Sequence, residues 1–460
     1  MGTMRFLGLL VSIAVTQAAR ADLEVYFMRH GETPWNRAKV LQGSIAYTDL
    51  TAVGVGMAED SAAEFLRRGI SFGAVYTSPL RRARHTAEII AATQGLKVRV
   101  DERIRERCCG SCEGVRYGTG ERLAELLRSA TGVEGVEAVG DRAMDFLEKE
   151  LAPLDGKVGR VLCVGHTLLL SVIEARLAGR HEVGKDLLPN CCAHVLVRRN
   201  GRFSLRERAR VFYDPAKYEG RSKIRYVAHR GAGDLTMPEA SRPAYADAVA
   251  KSSDIVKLDL QKTKDGVIVM GHDPTLKRVM GWDAKIGTLD YSEILSKGDF
   301  LFQGKPTGER IVRLDEALEI VRPVPEFWID FKHFDPDFAE RALAMFAAKG
   351  IDESRVMVAT FSTEALEYFK SKHPSIRRVG HISKKLSYGL PRVLAYVDEF
   401  GLFGVNMPVS RDQTSPEVIA ELKRKGVWVS LWFVQNEQTA AKYRDTVCDA
   451  FVTDHVSQVR

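Results

Sequence analysis

Arg29-His30-Gly31-Glu32 closes an apolar run in which Val25 and Phe27 alternate with Tyr26 and Met28. Such a run reads as a short buried strand. In open α/β sheets, ligands bind beyond the carboxyl ends of the strands, which is where Arg29 and His30 fall. An imidazole there is a candidate nucleophile, and a guanidinium beside it can hold a phosphate by paired hydrogen bonds. Gly31 is expected to let the backbone turn sharply after the strand. Taken alone, the motif also describes a strand end with a surface histidine, so its partners decide.

Further strand ends supply those partners. Ala74 to Ser78 reads as a strand, and Pro79-Leu80-Arg81-Arg82 after it opens a helix whose first turn carries Arg82. Helix amino termini favour anions through their free amides. Arg160 to Val164 is another buried strand, ending in Gly165-His166. Ile104-Arg105-Glu106 leads into Cys109-Gly110-Ser111-Cys112-Glu113-Gly114. Leu41-Gln42-Gly43 and the stretch 49–54 look like loop and helix-start material, and Ala58 to Arg68 like a helix with Ala62, Phe65 and Leu66 on one side. Converging strand ends would make one cationic pocket with a carboxylic acid near its rim.

These blocks resemble the histidine phosphatase (phosphoglycerate mutase-like) superfamily over about 22–212. Arg29 to Thr33 with Trp35-Asn36, Ser78-Pro79-Leu80 with Arg82-Ala83, Glu106 with Glu113-Gly114, and Gly165-His166 carry the match, in the family's order. The resemblance implies a three-layer α/β/α domain that needs no cofactor. It implies that His30 attacks phosphorus and becomes a phosphohistidine. Arg29, Arg82 and His166 would hold the phosphate, Asn36, Gln42 and Gly43 would contact substrate, and Glu106 would act as general acid and then base. Phosphate-monoester hydrolysis is among the slowest uncatalysed reactions, with enzymatic accelerations up to ~10²¹, and fixed cations are suited to supplying most of that. A mutase would need a longer lid than the sequence offers, so a phosphatase is expected. Cys109 and Cys112 stand where the family usually has aromatics and would reshape the pocket wall. His85, His181 and His194 match no motif position and read as ordinary helix or surface histidines.

The stretch 213–223 is polar, with Pro215 and Gly220, and reads as a linker. Beyond it, Ile224 to Ala228 begins a fresh strand ending in His229-Arg230-Gly231. Strand-like segments at 255–260, 327–332, 355–361, 376–380, 404–407, 427–434 and 450–453 then alternate with helical ones. This is the pattern of a TIM (β/α)₈ barrel, over a length close to the typical ~250 residues. The 267–270 piece follows a tight turn too closely for a parallel crossover and should be a hairpin arm.

This half, 224–460, resembles the glycerophosphodiester phosphodiesterase family through His229-Arg230-Gly231, Pro238-Glu239, Thr263 to Gly266, His272-Asp273 and Thr453-Asp454. The resemblance implies His229 and His272 as acid and base around a divalent cation, Mg²⁺ or Ca²⁺, held by Asp259, Asp330 and Glu239. Arg230 and Lys332 would bind the phosphodiester. One departure stands out: Lys257 occupies the place of a metal-binding Glu in Lys257-Leu258-Asp259. Two unit charges 4 Å apart interact by about 4 kcal/mol at an effective dielectric near 20, so an inward Lys257 opposes a cation. Three readings stay open: Lys257 replaces the metal, the barrel is an inactive lipid- or phosphate-binding module, or Lys257 swings outward and a metal still binds.

Net charge is +7 and pI about 8.9, which suits anionic ligands such as small phosphorylated substrates, glycerophosphodiesters or lipids. Lys and Arg are spread along the chain with no dense basic block, which argues against nucleic acid. Arg5, an uncharged run from Phe6 to Val15, and Ala19-Arg20-Ala21 form a basic start, a short apolar core and a small-x-small cleavage signal. Residues 1–21 are therefore expected to be a signal peptide sending the chain to a secreted or periplasmic location. The run is too short for a transmembrane span. Seven cysteines are too few for a disulfide-built scaffold and read as packing residues or one local disulfide.

Overall fold

The computed structural model describes residues 22–117, 119–183, 187–218, 224–231, 236–382, 389–409, 414–444 and 446–459. The expected signal peptide, 1–21, and the end of the expected linker, 219–223, lie outside the described residues.

The first half is built on a sheet of β1 (Leu23–Arg29), β2 (Ala74–Thr77), β3 (Val98–Val100), β4 (Arg160–Gly165), β5 (Cys192–Arg199) and β6 (Arg202–Val211), in the order β3-β2-β4-β1-β5-β6. β1, β2, β3 and β4 run parallel, while β5 and β6 form an antiparallel margin. The alternation along β1 decides the layering. Tyr26 and Met28 pack with Ala62 and Phe65 of α2 (Ala52–Arg67) and Ala83 and Ile90 of α3 (Arg81–Ala92). Val25 and Phe27 pack on the opposite face with Val139 and Phe146 of α5 (Val136–Phe146) and Leu169 and Ile173 of α6 (Thr167–Leu177). This is a three-layer α/β/α domain. Its remaining helices are α1 (Pro34–Ala38) and α4 (Gly120–Ser129). One expectation fails: Leu66 is 52% exposed, since the buried stripe of α2 follows Ala58, Ser61, Ala62 and Phe65 and Leu66 stands one step beyond it.

The second half closes eight parallel strands into a barrel. They are β7 (Arg225–Ala228), β8 (Ile255–Lys262), β12 (Glu326–Phe331), β13 (Val356–Thr360), β14 (Arg377–His381), β15 (Gly404–Pro408), β16 (Trp428–Trp432) and β17 (Ala450–Thr453), with β12 pairing back to β8. β9 (Ile268–Met270) pairs antiparallel with β8 as a hairpin arm. β10 (Leu301–Phe302) and β11 (Lys305–Pro306) form a small hairpin in an insertion. Barrel strands are covered on both faces. Ile255, Trp328, Met357, Val379 and Val452 fill the interior, while Val256, Leu258, Phe327 and Ile329 meet the helices. No helix among the described residues is long and apolar enough to cross a membrane.

The two halves dock through α1. Arg37 forms ion pairs with Glu32 (2.8 Å) and with Asp254 of the barrel (3.0 Å), and its side chain is only 7% exposed. Trp35 Nε1 donates to the Pro323 carbonyl (2.8 Å), and the Arg355 guanidinium lies 4.6 Å from its ring centroid. Arg116 pairs with Glu326 (3.0 Å), a buried carboxylate that Arg225 and Arg377 also hold. Asp254, Glu326 and Arg355 precede or begin β8, β12 and β13, so the first domain sits against the amino-terminal face of the barrel.

Candidate active sites

The parallel register sets the first site. β1 lies beside β4, and β4 beside β2, so His30, His166 and Ser78 emerge at three adjacent carboxyl ends. The His30 and His166 ring centroids are 5.3 Å apart. Gly31 is a glycine for a reason other than the expected sharp turn: a Cβ there would meet the Gly54 carbonyl oxygen at 2.5 Å. The constraint is the close approach of α2, not backbone freedom.

His30 Nδ1 lies 2.7 Å from the carbonyl oxygen of Gly31. That contact places the ring proton on Nδ1 and leaves Nε2 with its lone pair. Burial, then Arg82 and Arg29, holds the His30 pKa well below the ordinary histidine value, so the ring is neutral at pH 7. His166 is likewise buried and held well down, and its Nε2 meets Ser78 Oγ at 2.8 Å. Arg82 donates to the carbonyls of Ile45 (2.7 Å) and Gly43 (2.8 Å), and burial brings its pKa down to about 10, still charged at neutral pH. Arg29 donates to the Leu188 carbonyl, and the Nε atoms of both arginines are buried without a partner, as is Gln42 Oε1. Glu106 accepts from the Arg107 N–H (2.8 Å) and the Leu168 N–H (3.3 Å); burial nevertheless raises its pKa, which favours the protonated acid.

Arg29, His30, Asn36, Gln42, Gly43, Arg82 and Glu106 all line one cavity of about 680 Å³. Cys109 lines it too, and burial pushes its thiol upward, so it is a neutral wall residue. All seven cysteines are free thiols. Sequence reasoning missed Tyr117, Arg107 and the α4 residues in the wall, which lie outside any motif. It also misplaced His194, which is fully buried on β5, 3.4 Å from Glu174.

In the barrel, His229 follows β7 and His272 follows β9, with ring centroids 6.4 Å apart. His229 Nδ1 meets Asp454 (2.8 Å) and His272 Nδ1 meets Asp273 (2.7 Å), which leaves both Nε2 atoms for proton transfer. Burial lowers both pKa values despite these carboxylates. The buried residue His381, 3.9 Å from Asp330 and pushed down to about 4 chiefly by burial, is a neighbour that no motif signalled.

The three carboxylates expected to hold a metal are engaged otherwise. Lys257 is buried, faces inward, and pairs with Asp259 and with Asp330 (3.2 Å). Lys332, expected to bind substrate, pairs with Asp259 and Asp330 at 2.7 Å each. Burial works to raise both aspartate pKa values, but the two lysines outweigh it and both end low. Glu239 is clamped by Arg230 (2.7 Å) and Arg278 (2.7 Å). Two ammoniums already balance two carboxylates, and Asp259 Oδ2 is the oxygen left without a partner. Among the described residues, the carboxylate oxygens that a hard cation would take are already held by ammonium and guanidinium groups, so these residues as paired do not fit a divalent ion.

A family model for the histidine phosphatase superfamily (branch 1) matches residues 25–210, and one for the glycerophosphoryl diester phosphodiesterase family matches 229–458. The chain belongs to both families, one in each half. The histidine phosphatase half is 34% identical over 176 residues to "Metal-independent phosphoserine phosphatase" of Arabidopsis thaliana, a match covering 36% of this chain and 72% of that protein. The diesterase-family half is 26% identical over 232 residues to "Glycerophosphodiester phosphodiesterase" of Bacillus subtilis, covering 47% of this chain and 78% of that protein. A solved glycerophosphodiester phosphodiesterase from Thermotoga maritima is 21% identical, with a TM-score of 0.42 over 51% of this chain and 95% of its own. Both halves therefore come from phosphoester hydrolase families.

Proposed function

We propose that the first domain is a phosphomonoesterase working through a phosphohistidine at position 30. The carrying observation is one cavity that holds a neutral imidazole with its Nε2 free, the guanidiniums of Arg29 and buried Arg82, and a carboxylic acid whose pKa is raised. The Nε2 lone pair attacks phosphorus, the ester P–O bond breaks, and the leaving oxygen takes its proton from Glu106. Water then attacks phosphorus and gives a proton to the Glu106 carboxylate. The P–N bond breaks with its electron pair returning to Nε2, which frees inorganic phosphate. Arg29, Arg82 and His166 gather the charge on the equatorial oxygens. Brief reaction with a ³²P-labelled monoester should leave acid-labile label on the parent protein and none on His30→Ala. Label on His30→Ala would sink the reading.

For the barrel we propose a phosphodiesterase whose metal is replaced by side-chain cations. Lys257 and Lys332 stand beside Asp259 and Asp330, and Arg230 beside Glu239, and their N–H groups are the donors offered to a phosphodiester anion. His229 and His272, each oriented by a carboxylate through Nδ1, serve as base and acid on either side of it. Turnover of a glycerophosphodiester that persists in EDTA supports this reading; turnover that EDTA abolishes and Mg²⁺ or Ca²⁺ restores overturns it. Complete inactivity with binding retained would make the barrel a binding module. The diesterase product class is the phosphatase substrate class, which suits two successive hydrolyses on one chain.

A further inference from the structure

We propose that the phosphatase half takes phosphomonoesters whose alcohol carries a long apolar tail. This substrate class rests on the phosphohistidine reading above. The cavity of about 680 Å³ holds buried His30 and Arg82, and much of its more exposed wall is apolar. Leu41, Leu168 and Leu187 form one part of that wall, and α4 forms the other. Along α4 the apolar lining residues are Gly120, Leu123, Ala124 and Leu127, a spacing that puts them on one helical face, with Glu121 and Arg128 at its margins.

Leu168 also packs against the first domain's core, but the α4 leucines and Leu187 are not spent on one. No residue of α4 is buried, neither Leu123 nor Leu127 joins a hydrophobic cluster of the first domain, and Leu187 is 62% exposed. Apolar side chains gathered around a concavity on a soluble domain mark a surface that a ligand covers. Continuity identifies the occupant. A phosphoryl group held between His30, Arg29 and Arg82 directs its ester oxygen toward Glu106, and the alcohol beyond it meets the leucines. Arg107, Glu121 and Arg128 also line the cavity and offer polar partners to hydroxyls on the alcohol. Hydrolysis of an acylated phosphodiester is the class of reaction that supplies such a monoester.

The test is phosphate release by the full chain from n-alkyl phosphates of increasing length, all below their aggregation thresholds. kcat/KM should rise by about two- to fourfold per methylene until the wall is covered. Leu123→Gln combined with Leu127→Gln should flatten that slope. Leu126→Gln, on the same helix but outside the cavity lining, should keep it. A flat series in the parent, with every ester hydrolysed, overturns the apolar-tail assignment and leaves the phosphohistidine reading standing. A slope that the double variant does not change overturns the role of α4. Failure to hydrolyse any ester, with no label at His30, overturns both readings together.

Discussion

If Lys257 stands in for the metal as proposed, replacing it by glutamate should give a barrel whose stability responds to divalent cations where the parent's does not. In the parent, Lys257 and Lys332 balance Asp259 and Asp330, so the four buried charges sum to zero. Lys257→Glu leaves three carboxylates and one ammonium, a local charge of −2. Each attraction lost and each repulsion gained is worth about 4 kcal/mol at 4 Å and an effective dielectric near 20. Proton uptake by the carboxylates caps the realised cost near the ~3–5 kcal/mol of a broken buried pair. At about 2–4 °C per kcal/mol for a domain of this size, the barrel transition in EDTA should fall by roughly 6–20 °C. Ca²⁺ at a hundred times its Kd should then return about 2.7 kcal/mol, or roughly 5–11 °C. Lys257→Met should be destabilised without gaining the calcium response. Calorimetry of the three proteins, each with EDTA and with Ca²⁺, gives the answer. A parent transition that moves by several degrees on adding Ca²⁺ would refute the charge argument, because it would mean the two ammoniums yield to a metal.

Other consequences follow from the same geometry. In the proposed mechanism Glu106 acts protonated, so kcat/KM should fall as pH rises through its raised pKa; Glu106→Gln should erase that limb and cost about 10²–10⁴-fold. The loss should be smallest for an ester with a good leaving group such as p-nitrophenyl phosphate. Stability should respond to pH in the opposite sense. His30 and His166 have folded pKa values well below the unfolded ~6.5, so below pH ~6.5 the unfolded chain binds more protons and stability falls with falling pH. Denaturant midpoints should show this slope, and His166→Gln should reduce it. Arg37→Ala strands the buried carboxylate of Asp254 and should cost about 3–5 kcal/mol, readable as undocking by limited proteolysis; an unchanged cleavage pattern would count against α1 as the clamp. The docked face is the amino-terminal end of the barrel while His229 and His272 lie at the other end. β8 has eight residues, so roughly 20 Å of barrel separates them. Monoester made by the barrel should therefore be fully interceptable by an added trap before the first domain consumes it.

Much of this protein was legible in its residues because the signals are local. Alternation in Val25 to Met28 gave the strand and the layer each side chain joins, and His30 and His166 were readable as strand-end groups because parallel sheets gather their carboxyl ends. The barrel strands were readable as recurring apolar runs, and the short turn before Val267 dictated an antiparallel arm. What was misread depended on neighbours. Gly31 is constrained by Gly54 across a gap that no turn rule encodes. His194 looked unremarkable until β6 and α6 covered it.

By itself the sequence determined which chemistry-bearing groups exist and, through hydrophobic period and strand ends, the edge on which each appears. Only the tertiary structure decided how those groups are charged and paired. It turned Lys257 inward between two aspartates, put Arg37 in the barrel's grasp, and set leucines of α4 in the same cavity as His30. Desolvation and ion pairing depend on distances between residues far apart in the chain, and those distances exist only once both cores have formed.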